Sequence, residues 1–416
     1  MRAAAFLYPW DVVGDPDAPA RLAELGVQQV TLAAAYHSTR ALTPRHPRHR
    51  IVTARHSAVL YPPDPDRWAG RALRPYAQDW VADPDPFGTA ARALAAVGLQ
   101  VHSWVVLAHN SRLGADHPSS AVRNAYGDRY PWAPCIARPE VRDYLVRLAA
   151  EAAVRPGARG VELESCGWYG LAHLHGHDKL AGVRLGGAAE YLMSVCCCRV
   201  CLDGYAELGL DGAELTAAVR RALAPVWAGA AVPDGGGRAG EWAAVEELLG
   251  PDVAGAVRAW RDRAAGEVQR AVVRAVRDAA PDGFRVLLHA DPAPHRCGPD
   301  AGVDPAAVWT FADGVVVRCT GDAAARAAAL GPFAPRPAGT TVAANLTVVA
   351  GMGGAPDRLA ADAAHAAALG ADELRLYHAG LATAADLAAV RGALRALNRS
   401  AGGRAQGSGA DPAAEC

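Results

Sequence analysis

The sequence predicts an α/β protein folded as a closed (β/α)8 barrel with long insertions after strands two and four, and three observations predict it. Strand-like apolar segments alternate with Ala- and Leu-rich helical segments, the pattern of parallel strands joined by helical crossovers. Several helical segments stop at a Gly just before the next apolar run, as in ARLAELGVQQV, ARALAAVGLQV and AHAAALGADELRLY, where Gly supplies a left-handed stop. Eight strand segments can be counted, which suits closure. A doubly wound open sheet is the alternative, but no Gly-rich phosphate fingerprint follows the first strand.

In chain order the strands are expected at 3–9 (AAAFLYP), 28–35 (QQVTLAAA), 101–108 (VHSWVVLA), 159–164 (RGVELE), 284–290 (FRVLLHA), 313–318 (DGVVVR), 340–346 (TTVAANL) and 373–377 (ELRLY). The His-, Arg- and Pro-rich segment 36–90 follows strand two, and 166–283 separates strands four and five with more chain than a crossover helix needs. Long excursions of this kind usually build a substrate cleft. The run 226–240 reads as a loop, and 399–416 has the composition of a disordered tail, leaving 1–398 as one barrel domain. A chain of 416 residues is ordinary for one barrel with insertions.

Lys plus Arg number 42 against 43 Asp plus Glu, so no basic face argues for nucleic acid or an anionic membrane, and a neutral small substrate is expected. The amino terminus, MRAAAFLYPWDVV, lacks a signal peptide's succession of regions, and no apolar run approaches the roughly 20 residues of a spanning helix, so a cytoplasmic protein is expected. Oligomeric state stays open, a homo-oligomer included.

Strand parity supplies the candidate chemistry. In GVELES, Val161 and Leu163 should face the helix layer while Glu162 and Glu164 point into the lumen. Glu164, at the carboxyl end where barrel enzymes keep their chemistry, is the catalytic candidate; Glu162, about 7 Å deeper, is a supporting ligand or an ion-pair partner. Both could instead satisfy lumen arginines such as Arg285 and Arg375. The same parity on strand five turns Arg285, Leu287, His289 and Asp291 inward, which makes Asp291 the candidate second carboxylate and His289 a substrate contact. Other polar and aromatic residues gather at strand termini or on the segments that follow them: Trp10, His37, Arg40, His109, Asn110, Trp168, Asn345 and Tyr377. Aromatic faces stack on sugar C–H faces, and amide, imidazole and carboxylate groups bind ring hydroxyls. Trp168 could also shield Glu164 and raise its pKa by desolvation. His173, His175 and His177 alternate and could bind a metal if extended, or form a polar loop; Lys179 offers an amine for a Schiff base.

Cys196, Cys198 and Cys201 form C-x-C-x-x-C, three thiolates suited to tetrahedral zinc, with Cys135 the natural fourth. The order Cys135, a Pro-x-x-Arg-x-x-Leu helix at 139–153, an acid closing a strand at Glu164 and then the cysteine loop resembles the family 42 glycoside hydrolases, β-galactosidases built on a TIM barrel. The resemblance covers roughly 125–210. It implies Glu164 as general acid/base and the four cysteines as a structural zinc site. Leu163 replaces that family's Asn, and strand seven, which carries the nucleophile in that clan, ends here in Asn345. The expected function is therefore glycosidic-bond hydrolysis on a small carbohydrate. The alternatives are a non-catalytic sugar-binding barrel and a sugar lyase or isomerase that uses a metal or Lys179.

Overall fold

A strand whose two faces are both buried reads as an apolar run, and the eight expected runs are the eight strands of a closed parallel ring. The computed structural model describes residues 1–172, 178–230 and 236–406. The strands are β1 (Arg2–Leu7), β2 (Gln29–Tyr36), β3 (Gln100–Val106), β4 (Ala158–Glu164), β5 (Arg285–Asp291), β6 (Gly314–Arg318), β7 (Thr341–Thr347) and β8 (Glu373–Tyr377), each within two residues of its expected bounds. Each pairs in parallel with the next, and β8 returns to β1 with Ala4 opposite Arg375. The Gly stops hold: Gly26 and Gly370 take φ of 94° and 96° directly ahead of β2 and β8.

Alternation sorts the side chains into two cores. Val161, Leu163, Val286, Leu288, Val315, Val317, Leu374 and Leu376 pack between sheet and helices. Leu287, Val316 and Ala343 fill part of the lumen, and Phe6, Trp104 and Tyr36 belong to an aromatic cluster at its mouth. Gly160 shares the inward parity of Glu162 and Glu164; a Cβ there would lie 2.7 Å from the His102 ring, so Gly is what lets His102 enter the lumen.

Between β2 and β3 the chain forms an antiparallel hairpin (Thr39–Leu42 with Ile51–Ala54), a short strand antiparallel to β2 at Ala58–Val59 and a helical turn at Pro65–Trp68. Buried Glu151, on the helix Pro139–Ala153, pins this segment by accepting from Trp68 Nε1 at 2.7 Å and the Asp64 backbone N–H at 2.6 Å. Between β4 and β5 lie the helices Gly186–Met193, Arg199–Ala206, Gly212–Trp227, Arg238–Leu249 and the 29-residue Pro251–Ala279. The last helix runs Ala384–Gln406 and so extends into the segment expected to be a tail; residues 407–416 and the three alternating histidines of 173–177 lie outside the described residues. Among the described residues no helix is long and apolar enough to cross a membrane.

The lumen floor is charged and internally matched. Arg375, fully buried, gives Nε to Glu162 at 2.5 Å and Nη1 to Glu373 at 2.9 Å, while Arg285 gives Nη1 to Glu373 at 2.9 Å. Removing one partner of such a buried pair strands the others without compensation. Arg375→Met should therefore cost about 3–5 kcal/mol in urea unfolding, and adding Glu162→Leu should recover part of the loss. A cost below about 1 kcal/mol would mean that the lumen charges are solvated and the pairing unimportant.

Candidate active site

Glu164 is the last residue of β4, and the chain turns sharply past it because Ser165 adopts a left-handed φ of 54°. Non-glycine residues pay for that conformation, and it recurs at functional turns. The turn lets the buried Ser165 N–H donate to the Pro299 carbonyl at 2.8 Å, which holds the loop after β5 against the end of β4. The next residue is Asp300. His289, on β5, stands between the two acids, with Nδ1 at 3.9 Å from Glu164 Oε2 and 3.8 Å from Asp300 Oδ1. The two carboxylates thus lie within about 8 Å of each other, a separation compatible with either glycosidase geometry.

Their environments differ in sign. Burial pushes the Glu164 carboxyl above the usual carboxylate range, against the pull of His289, while Trp104 Nε1 donates to its Oε2 at 2.8 Å. Burial would raise Asp300 as well, but His289 and Arg318 outweigh it and hold it below that range; Arg318 Nε sits 2.8 Å from Asp300 Oδ2. Burial alone would lower His289, yet Asp300, Glu162 and Glu164 lift it to about 9. The site thus sets a histidine that favours its charged form beside one acid pushed toward keeping its proton and one pushed toward losing it.

Aromatic rings line the rest of the mouth. The Phe6 ring meets Trp104 edge-on at 4.7 Å and Tyr377 at 5.5 Å; Tyr8 hydroxyl lies 3.1 Å from that of Tyr36. His37 stacks on Tyr36 at 4.1 Å, and His109 stacks on Tyr169 at 4.4 Å. Among the expected contacts, His289, Tyr377, His37 and His109 are therefore brought together around Glu164. Asn345, opposite Arg318 and Arg375 in register, is buried with an Oδ1 that makes no hydrogen bond.

Other expected residues are engaged with partners of their own or stand exposed. Asp291 is clamped by Arg238, whose Nε and Nη2 donate to its two oxygens at 2.8 Å each; the carboxylate paired with Glu164 across His289 is Asp300. Glu162 is wholly buried against Arg375 and Thr31, an ion-pair partner instead of a substrate ligand. Trp168 donates Nε1 to the Arg261 carbonyl at 2.9 Å and lies under that guanidinium, so the indole against Glu164 is Trp104. Asn110 caps the helix Ser111–Asp116 through Leu113 N–H at 2.9 Å, and Trp10 is buried in a stack on Tyr8. Arg40 is exposed on the hairpin after β2. Sequence reasoning missed Asp300, Arg318, Tyr36 and Tyr169. Arg318 and Tyr36 were findable, since each closes a strand; Asp300 sits in a loop without periodicity.

A second centre lies apart from the lumen. Cys135, at the end of the hairpin strand Arg129–Pro134, meets Cys196, Cys198 and Cys201, which open the helix Arg199–Ala206; all four are buried, with sulfurs within 4.8 Å of one another. Cys135 Sγ is 3.7, 3.8 and 3.6 Å from Cys196, Cys198 and Cys201. Tetrahedral zinc with Zn–S of about 2.3 Å sets sulfurs about 3.8 Å apart, so the donor set fits a metal ion. Cys197 turns away toward the Val195 carbonyl, and the Arg123 N–H points at Cys196 Sγ from 3.5 Å, a backbone donor that would stabilise a thiolate.

No protein-family model matches the chain, and no curated protein matches it in sequence. Solved structures do. Alpha-L-fucosidase isoenzyme 2 from Paenibacillus thiaminolyticus aligns over 97% of this chain and 50% of its own at 13% identity and a TM-score of 0.56. The PgaB (BpsB) glycoside hydrolase domain from Bordetella bronchiseptica aligns over 95% and 99% at 14% identity and 0.55. A β-galactosidase from the psychrophilic Marinomonas ef1 aligns over 97% and 60% at 11% identity and 0.55. This chain thus spans about half to three-fifths of the fucosidase and the galactosidase and nearly all of the PgaB domain. At these identities the likeness establishes the fold: a closed eight-stranded parallel barrel of the kind on which these glycoside hydrolases are built.

Proposed function

We propose that the barrel mouth hydrolyses a glycosidic bond in a small carbohydrate, with Glu164 as general acid and ionised Asp300 as its partner. The observation that carries this reading is the pair of carboxylates on either side of His289 whose environments push their protonation apart. Glu164 gives its proton to the leaving glycosidic oxygen as the bond to the anomeric carbon breaks. Asp300 either attacks that carbon or takes a proton from the water that does. Tyr377, Tyr36 and His37 supply faces and polar edges for a sugar ring. The likeness in fold to a fucosidase, a galactosidase and the PgaB hydrolase domain supports the reading without naming a sugar. The bare end of β7 at Asn345 favours one rival, a barrel that binds sugar without cleaving it.

The four cysteines we assign to structural zinc, which ties the segment between β3 and β4 to the one after β4. Thiolates persist in a reducing compartment, in keeping with a cytoplasmic protein.

On a panel of nitrophenyl glycosides, Glu164→Gln and Asp300→Asn should each lower kcat/KM by about 10²–10⁴-fold while product-like sugars still bind. Loss of affinity with no turnover in the wild type would select the sugar-binding barrel. The pH profile of the wild type should be bell-shaped. Activity falls on the acid side as Asp300 gains a proton, below the ordinary carboxylate range, and on the alkaline side as Glu164 loses its proton, above that range. Elemental analysis should find one zinc per chain, lost in Cys135→Ser together with a lowered Tm; a metal-free wild type with unchanged Tm would refute the zinc assignment.

A further inference from the structure

The hydrolytic reading gives no part to Glu162, which is fully buried in the lumen beside the site. Glu162 Oε1 accepts from Arg375 Nε at 2.5 Å and from Thr31 Oγ1 at 3.0 Å. Its Oε2 makes no hydrogen bond and faces His289 Nε2, likewise without one, at 3.6 Å. A buried acceptor and a buried donor are each costly alone, so this ion-pair contact is what compensates both. It also fixes the ring, because with Nε2 toward Glu162 the other nitrogen, Nδ1, is left between Glu164 and Asp300.

Among the described residues, charged and titratable groups face His289 from several elements. Glu162 and Glu164 approach from β4 and Asp300 from the loop after β5; these and the two neighbouring guanidiniums, Arg318 on β6 and Arg375 on β8, carry the charge. His102 on β3 and Tyr377 on β8 are titratable neighbours within the same lumen, and the Phe6 ring lies edge-on at 5.7 Å. Both guanidiniums are already engaged, Arg375 with Glu162 and Glu373 and Arg318 with Asp300. Burial drives His102 down to about 3, so it adds no charge at neutral pH. The balance at the ring is thus decided by the acids, and Glu162 is the one that no substrate can reach, being fully buried.

Resting on the hydrolytic reading of the mouth, we infer that Glu162 is a positioning residue: it holds His289 by Nε2, turns Nδ1 toward Glu164 and Asp300, and through the ring's charge keeps Asp300 ionised, while Glu164 owes its proton to burial. The chain Arg375, Glu162, His289 carries this setting from the lumen floor to the mouth. Without Glu162 the imidazole loses an anion at 3.6 Å, burial then favours its neutral form, and Asp300 loses a cation that keeps it ionised.

The test begins without substrate. In protein carrying ¹⁵N-histidine, the signal missing from the His289→Gln spectrum identifies His289. Wild-type His289 should stay doubly protonated through neutral pH, and in Glu162→Gln its proton affinity should fall by about tenfold or more. With a glycoside that is turned over, Glu162→Gln should move the acid limb of the pH profile to higher pH, whereas a merely structural role would lower the amount of active enzyme and leave the limb in place. An unmoved His289 midpoint in folded Glu162→Gln overturns the inference. If that variant does not fold, the wild type still decides, because a His289 midpoint at or below the ordinary imidazole range overturns it equally. Neither result depends on hydrolysis, so failure of the catalytic reading is recognised separately, as absence of turnover by a protein whose His289 is cationic.

Discussion

A charge taken into the interior of a barrel must meet an opposite charge there, and Glu162 meets two: Arg375 on one side and His289 on the other. Arg375 is in turn shared with Glu373, which is shared with Arg285, and His289 is shared with Glu164 and Asp300. One connected series of ions therefore runs through the lumen and ends at the solvent-facing guanidinium of Arg318. Removing a member in the middle leaves the rest unbalanced, which links the stability of the lumen to the chemistry of its mouth.

The ring of strands makes this series possible. Parallel pairing sets Leu287 opposite Glu162, so His289, the next inward residue of β5, stands one position nearer the mouth and reaches both Glu162 and Glu164, while Arg375 reaches Glu162 across the lumen from β8. The left-handed turn at Ser165 then draws in Pro299 and, with it, Asp300. Desolvation does the rest: the same burial that favours the proton on Glu164 is overcome at Asp300 by His289 and Arg318, with a smaller pull from Arg238. Two carboxylates within about 8 Å are thus pushed in opposite directions by placement alone, which is what the proposed acid and anion roles require.

What could be read from the sequence was what local periodicity encodes. The strands announced themselves because both faces are buried, and period-two alternation was enough to turn Glu162, Glu164, His289 and Arg375 inward. The Cys196, Cys198 and Cys201 spacing, with Cys135, likewise marked a cluster that the structure brings together. What could not be read was pairing across long sequence separations. Asp291 has inward parity, but Arg238, 53 residues earlier, occupies both its oxygens. Trp168 meets Arg261 from 93 residues away, and Asp300 lies in a loop whose position depends on a backbone hydrogen bond to Ser165. No pattern within a few residues of these positions carries that information.

The central claim concerns where protons reside, and neutron diffraction from deuterated crystals at neutral pH observes them directly. The account predicts a deuteron on the Glu164 carboxyl, none on Asp300 or Glu162, and both nitrogens of His289 deuterated. A deuteron on Asp300 with Glu164 bare, or a singly deuterated His289, would contradict it.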